Sequence, residues 1–543
     1  MNAKITQTNR TTEATSHCNA PPTVSWFAVL ACAWPALILA TVCLLPYLNK
    51  PYLIDDPWFL TMSRQIVNHP LHPMDFDICW DTIENCTKAY ELSPGNSLMG
   101  YVLVPTVLGG AHEWMAHLTQ LVLVWIAVLA MTSLVLRFGW DRSHAIAGAL
   151  LLVAIPPFLR MASTAMPDIL ATAVALLAIE RLAAWKAEQK WAQGAAAAIA
   201  LGLAGFARSH LALLLPLGAF FLMESINPRE LLEQIRRKFW LWTPVFAGFA
   251  LFLAIVLAVR EHNLAINPPP LVTGTRYIAS NLVSYLFYFA FPIPLAGCWI
   301  ANRYQTKRPS FALILILAIL VPLFFFWSFL PVVLLALLGL RALAGLLFQA
   351  LKRRDHMGLF LVFWVLIPLP IVYYAHLPIK YLLPCIPAVI LMCFRLMEGF
   401  SVRVVRIAAF ALIAASTGYS LLILRSDAEF AEFGRYAMYR LVSPHVAAGE
   451  KVWFGGQYWA YWYAPMAGAT LTFPGGPQPK PGDLLVVGVF GGEGAHALLE
   501  RFPHRTLVEA VSQNHRFGRM YNGRSMWGFG ESENDRYELW RID

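Results

Sequence analysis

The chain reads as an α-helical polytopic membrane protein of about 13 transmembrane helices, amino terminus inside and carboxyl terminus outside, with amphipathic helices in the first outer loop and a small C-terminal α/β domain. Three observations carry that reading. Of 543 residues, 58% are hydrophobic and 13% charged, against about 45–50% apolar and about 25% charged in an average soluble domain. Apolar runs near the ~20 residues that span a bilayer recur from Val24 to Leu424. Between them, Lys and Arg gather in alternate loops, the pattern that sets topology.

Residues 1–23 are polar and Thr-rich, and read as a disordered cytoplasmic tail. The run 24–47 is too long for the apolar core of a cleaved signal peptide, which spans about 7–15 residues, so it stays as an anchor. Further runs centre on 114–136, 143–160, 167–184, 191–207, 209–223, 239–259, 280–300, 309–327, 329–350, 358–376, 378–397 and 404–424. In the 309–350 block, Pro331 marks a break and Arg341 falls inside a span. Domain boundaries follow: a tail over 1–23, a membrane domain over 24–424 that includes the loop 48–97, and a soluble domain over 425–543.

Orientation comes from the loops. One set of alternate loops holds Arg137 and Arg142, then Arg181, Lys186 and Lys190, then Arg229, Arg236, Arg237 and Lys238, then Arg303, Lys307 and Arg308, then Lys352, Arg353 and Arg354, then Arg395, Arg403 and Arg406, and the other set is nearly free of Lys and Arg. The first set is therefore cytoplasmic, and loop 48–97 and the carboxyl tail share the outer face. The same distribution explains the net charge of +9 as a topology signal rather than one basic face, and excludes a nucleic-acid partner. After Leu424 the composition shifts, and short β-prone runs at Lys451–Phe454, Leu484–Phe490 and Tyr537–Ile542 alternate with Gly and Pro clusters.

Two adjacent acids, Asp55 and Asp56, lie in the first outer loop, where acids beside a membrane face are functional candidates. Residues 57–67 place Phe59, Met62, Ile66 and Val67 on one face of an interfacial amphipathic helix. With Pro57 at the first helical position, Asp56 is placed to be the N-cap. Asp55 has no such structural duty: it is either a solvated loop carboxylate or a general base. His69, His72, Asp75 and Asp77 in the same loop match no metal-ligand spacing and read as loop packing. Cys79 and Cys86 share the loop too, and on an outer face form a local disulfide.

Arg160, Arg208, Arg276 and Lys380 stand at outer ends of spans, against the charge rule. Singly each reads as snorkelling to headgroups; together they suit a phosphate, to which Arg offers a fork and Lys a point charge. Asp168, at the outer start of its span, either orients one of them or answers the helix dipole. No phosphate-binding loop, dinucleotide fingerprint or nucleophile elbow is present, which argues against ATP chemistry within this chain.

These residues resemble the GT-C superfamily of polytopic glycosyltransferases, in particular the bacterial branch similar to protein O-mannosyltransferases and the lipid A aminoarabinose transferase. The resemblance runs from about residue 24 to residue 397. Asp55-Asp56 is similar to the family's acidic pair, usually Asp-Glu, and Ser93-Pro94-Gly95 to a segment beginning His-Pro-Pro or Asn-Pro-Pro. Arg160 to Asp168 resembles the Met-Pro-Asp region, Gly205 to Arg208 a Gly-x-x-Lys segment with Arg for Lys, and His376 to Pro384 the Arg/Lys-Tyr-Leu-Leu-Pro motif.

The resemblance implies a polyprenyl-phosphate-linked sugar as donor, used at the periplasmic face of the bacterial inner membrane, with a lipid, glycan or protein as acceptor. Asp55 would take the acceptor's hydroxyl proton during inverting attack, with Asp56 beside it. Arg208 and Lys380 would stabilise the departing lipid phosphate, helped by Arg276, Tyr381, Arg160 and His376, with Asp168 as an orienting acid. No cofactor is required by the sequence, although the two aspartates suit a divalent cation. A lipid-linked-sugar transporter or flippase is the rival from another class, and would need ionisable residues deep in its spans. A polysaccharide polymerase or ligase is the rival among enzymes; its large outer loop usually comes late in the chain.

Overall fold

The computed structural model describes residues 23–78, 86–92, 96–224, 228–259, 278–279, 281–283, 285–286, 329–373, 377–398, 400–455, 460–473, 475–489, 498–514 and 534–543. The expected span 309–327, most of 280–300, and the residues Cys79, Ser93 to Gly95, Arg276 and His376 lie outside them. The protein is mostly helical. Among the described residues, six helices are long and apolar enough to cross a membrane: Trp26–Tyr47, Glu113–Arg137, Phe239–Val259, His356–Tyr373, Ile379–Leu396 and Val402–Ala447. Shorter apolar helices occupy Arg142–Ala154, Trp191–Ala207 and Ser209–Leu222. This is a multi-pass membrane architecture.

Helix boundaries follow local chemistry. Ser25, Asp141, Asp355 and Ser401 each accept an N–H from the first turn of the helix they precede. Glu113 opens and Arg137 closes Glu113–Arg137, each at the end whose partial charge it complements. Pro331 falls in the first turn of Phe329–Arg353, where its missing N–H costs nothing, so it does not break that helix.

The helix Asp168–Glu188 is buried nearly all round, as a helix apolar on every face should be at the centre of a bundle. It packs against Glu113–Arg137 and Trp191–Ala207. Between Trp191–Ala207 and Thr243–Val259 the backbones touch: a Cβ on Gly202 would stand 3.0 Å from the Gly248 carbonyl oxygen, and one on Gly248 3.0 Å from that of Ala198. Small residues thus supply the close approach that dispersion needs where no hydrophobic force drives association. At the Arg137 end, the buried Glu180 accepts Ser133 Oγ at 2.6 Å and Arg137 Nε at 2.9 Å, while Arg137 Nη1 reaches Glu188 at 2.9 Å.

The last long helix, Val402–Ala447, runs unbroken for 46 residues, straight through the composition shift at Leu424. At 1.5 Å per residue it is roughly 69 Å long, about twice a hydrocarbon core. Its second half carries a five-stranded mixed sheet in the order Thr470–Thr472, Val452–Gly455, Leu484–Val489, Asn534–Ile542, Arg505–Asn514. The first two neighbour pairs are parallel and the last two antiparallel. Period-two alternation divides its side chains: Val452, Phe454, Leu484, Val486, Tyr537 and Leu539 join the main core, while Trp453, Leu485, Val487 and Ile542 form a second core with Leu498 and Leu499.

In the first loop, Asp77–Ile78 pairs antiparallel with Thr87–Lys88, and Lys88 bridges Asp75 at 3.2 Å and Asp77 at 3.1 Å. These acids serve loop packing. Cys86 is disulfide-bonded.

Candidate active site

The chain leaves its first span and buries Tyr52, Leu53 and Ile54 before turning into the helix Asp56–Asn68. Ile54 makes the turn at φ 51°. That left-handed conformation is rare for a β-branched residue, costs on the order of 1–3 kcal/mol and persists only where its neighbours enforce it. One neighbour that holds it is Asp56. Its Oδ2 accepts the Leu53 N–H at 2.7 Å and its Oδ1 accepts the Ala165 N–H at 2.7 Å, which pins the turn to the segment before Asp168.

This corrects the expected capping role. The N-cap is Asp55, whose side chain makes no capping bond, and Asp56 is the first helical residue with its carboxylate turned back into the protein. Two buried backbone donors outweigh an ordinary cap, because each would otherwise lie unsatisfied away from water. Burial pushes Asp56 up to about 6, opposed by Lys50, by the two amides and by Arg160. Burial likewise pulls Lys50 down to about 8, opposed by Asp427 and Asp56. Lys50 Nζ donates to Ser163 Oγ at 3.0 Å, and the buried Arg160 pairs with Asp427 on the last long helix. Arg160, expected at an anion site, is thus engaged in tying that helix to the segment before Asp168.

Asp55 faces the other way, with 31% of its side chain exposed. Lys380 Nζ donates to its Oδ2 at 2.8 Å and lies 3.5 Å from Met166 Sδ. Lys380 is placed by the short helix Ile379–Cys385, entered through the extended Pro378 and packed against Asp168–Glu188. Next in sequence, Tyr381 links two cations: its ring centroid is 4.3 Å from Arg208 Cζ and 5.9 Å from Lys380 Nζ. Arg208 follows the last turn of Trp191–Ala207 in extended conformation, and its Nη2 donates to Asp168 Oδ1 at 2.5 Å. Arg208 Nε and Asp168 Oδ2 are buried with no hydrogen-bond partner among the described residues.

The structure therefore brings together Asp55, Asp168, Arg208 and the adjacent pair Lys380 and Tyr381, from four separate stretches of the sequence. Asp56 and Arg160 belong to a buried ionic group behind them, with Lys50 and Asp427. Sequence reading missed those two partners, although Lys50, a cation just after the first span in a loop expected to hold few, was a usable signal. Among the described residues no three His, Cys, Asp or Glu side chains are grouped to hold a metal ion. Chemically, the arrangement offers one accessible carboxylate beside a lysine, an arginine with a spare buried donor, and an aromatic face between the cations.

No protein-family model matches the chain, and no curated protein does. Among solved structures it is similar to ArnT from Cupriavidus metallidurans bound to undecaprenyl phosphate, with 14% identity over 95% of this chain and 98% of that one and a TM-score of 0.50. It is also similar to the Archaeoglobus fulgidus oligosaccharyltransferase tethered with an acceptor peptide, at 15% identity over 83% and 64% of the two chains with a TM-score of 0.46. The arabinosyltransferase EmbB from Mycobacterium smegmatis gives 16% identity, 79% and 43% coverage and a TM-score of 0.32. What the first similarity shows is a shared fold over nearly the whole of both chains.

Proposed function

Taking as premise that the chain has the GT-C fold, we propose that it is a glycosyltransferase that moves a sugar from a polyprenyl-phosphate donor to an acceptor hydroxyl at the periplasmic face of the bacterial inner membrane. The observation that carries this reading is the Asp55–Lys380 pair at 2.8 Å beside Arg208 and Tyr381. A carboxylate that accepts a proton and cations that receive a phosphate are the two things an inverting transfer needs side by side.

Asp55 takes the proton of the acceptor hydroxyl while the hydroxyl oxygen attacks the anomeric carbon from the face opposite the phosphate. The bond from that carbon to the phosphate oxygen breaks, its electron pair stays on oxygen, and polyprenyl phosphate departs with one more negative charge. Lys380 and Arg208 stabilise that charge, so no general acid is required for the leaving group. Asp168 holds the Arg208 guanidinium in place, and the Tyr381 ring stacks against it and fixes its plane. ArnT, with which the fold is shared, was solved bound to undecaprenyl phosphate, a ligand of the class proposed here.

The boundaries 24–424 and 425–543 are proposed as the membrane transferase unit and a periplasmic α/β unit, with Cys86 and Cys79 as the pair of a loop disulfide. Mass spectrometry of envelope lipids and glycans from cells with and without the intact gene tests the function. A single sugar lost from one acceptor class supports it, and envelopes of identical mass profile contradict it.

A further inference from the structure

Tyr463 belongs to the helix Ala460–Met466, beside the C-terminal sheet, yet its hydroxyl lies inside the first loop. The Tyr52 N–H donates to Tyr463 Oη at 2.8 Å, and the Tyr463 hydroxyl donates to Glu113 Oε1 at 3.0 Å. Glu113 is held in turn by Arg435 Nη1 at 3.3 Å, from the second half of the helix Val402–Ala447. The Tyr52 hydroxyl donates to the Ala111 carbonyl at 2.9 Å. Trp462 meets the Tyr52 ring edge-on, centroids 5.3 Å apart, and Arg64 of the helix after Asp55 lies 4.2 Å over the Trp462 ring.

Backbone by backbone, the turn that presents Asp55 is held on two sides. The amide of Leu53 is held by Asp56, and the amide of Tyr52 by Tyr463. Between them and Asp55 stands Ile54 at φ 51°, a conformation this residue type leaves when its flanks are released. Tyr52 and Tyr463 are both buried, so without the hydroxyl the Tyr52 amide has no water to turn to.

We propose that Tyr463 is a positioning residue for Asp55: the C-terminal unit reaches back to clamp the acidic loop in its strained conformation, and is a working part of the active site. The inference rests on the reading of Asp55 as the base. It gives the unit a mechanical role, since the Tyr463 hydroxyl, beside the Trp462 ring contacts, links the sheet to the residues just before the base.

The test uses full-length protein and cells lacking the chromosomal gene, complemented with variants at matched membrane abundance. Tyr463→Phe keeps the ring and removes only the hydroxyl. Hydrogen exchange of peptides covering residues 50–56 should quicken about 10-fold, as expected when a buried amide loses its acceptor. Accumulation of the glycoconjugate identified by envelope mass spectrometry should fall about 10-fold or more, as misplacement of a catalytic group predicts. In an Ile54→Gly background, where the left-handed turn carries no strain, the further loss on adding Tyr463→Phe should shrink to about 3-fold or less. A Tyr463→Phe protein with unmoved exchange or unmoved product overturns the proposal, as does an equal loss in both backgrounds, which marks a merely structural contact. An active Asp55→Asn protein sinks the base assignment itself; an inactive one alongside an unmoved Tyr463→Phe sinks only the clamp.

Discussion

Lys380 Nζ donates to Asp55 Oδ2 at 2.8 Å across 325 residues of sequence. One lysine thus sits against the proposed base and, through the Tyr381 ring, within reach of the second cation. Replacing it by Met should weaken binding of undecaprenyl phosphate to purified protein by roughly 10-fold or more, the scale of one charge-assisted contact. Lys380→Arg should keep most of that binding. Because Asp55 and Lys380 touch, their substitutions should be non-additive in transfer assays, and strict additivity would show that the pair does not act together.

Arg208 is buried against Asp168 at 2.5 Å. Arg208→Ala leaves a carboxylate without its partner, which costs on the order of 3–5 kcal/mol and should appear as a large fall in thermal midpoint. Adding Asp168→Asn should recover much of that stability without recovering phosphate affinity. Recovery of both would mean that Arg208 serves the fold alone.

Asp56 carries a pH signature. Burial raises it to about 6 from 3.8, so in the folded protein it keeps a proton that the unfolded chain has released. Between about pH 4 and about pH 6 the native state binds the extra proton, and the stability Asp56 contributes falls as pH rises, by roughly 1.4 kcal/mol per unit. The thermal midpoint of wild type relative to Asp56→Asn should therefore decline across that window and level off above it. A difference that grows with pH there would contradict the buried placement.

How much of this was legible in the sequence depended on range. Apolar runs near bilayer length located helices such as Glu113–Arg137 and Trp191–Ala207 closely, because length and hydropathy are local properties. The strand Arg505–Asn514 escaped notice because much of it is exposed and it lacks a compact apolar run; it is a sheet edge recognised only by its pairing with Asn534–Ile542. The roles of Asp55 and Asp56 as cap and first helical residue were exchanged by a register of one, which Pro57 tolerates at either of the first two helical positions.

The cations were legible as a set, since Arg208 and Lys380 stand where the charge rule leads one to expect few, and Asp168 was legible as an acid able to orient one of them. Arg160 turns out to be paired with Asp427, 267 residues away, and no local pattern announces that. Tyr463 offered no signal at all, because its meaning lies in an amide 411 residues earlier. Cys86 is disulfide-bonded.

The most direct test of the central claim is the envelope glycoconjugate profile, by mass spectrometry, of cells whose sole copy carries Asp55→Asn at wild-type abundance in the membrane. Loss of a general base costs about 100-fold or more in rate, so this profile should match that of cells without the gene, one sugar missing from one acceptor class. Full restoration of that sugar by Asp55→Asn would contradict the account.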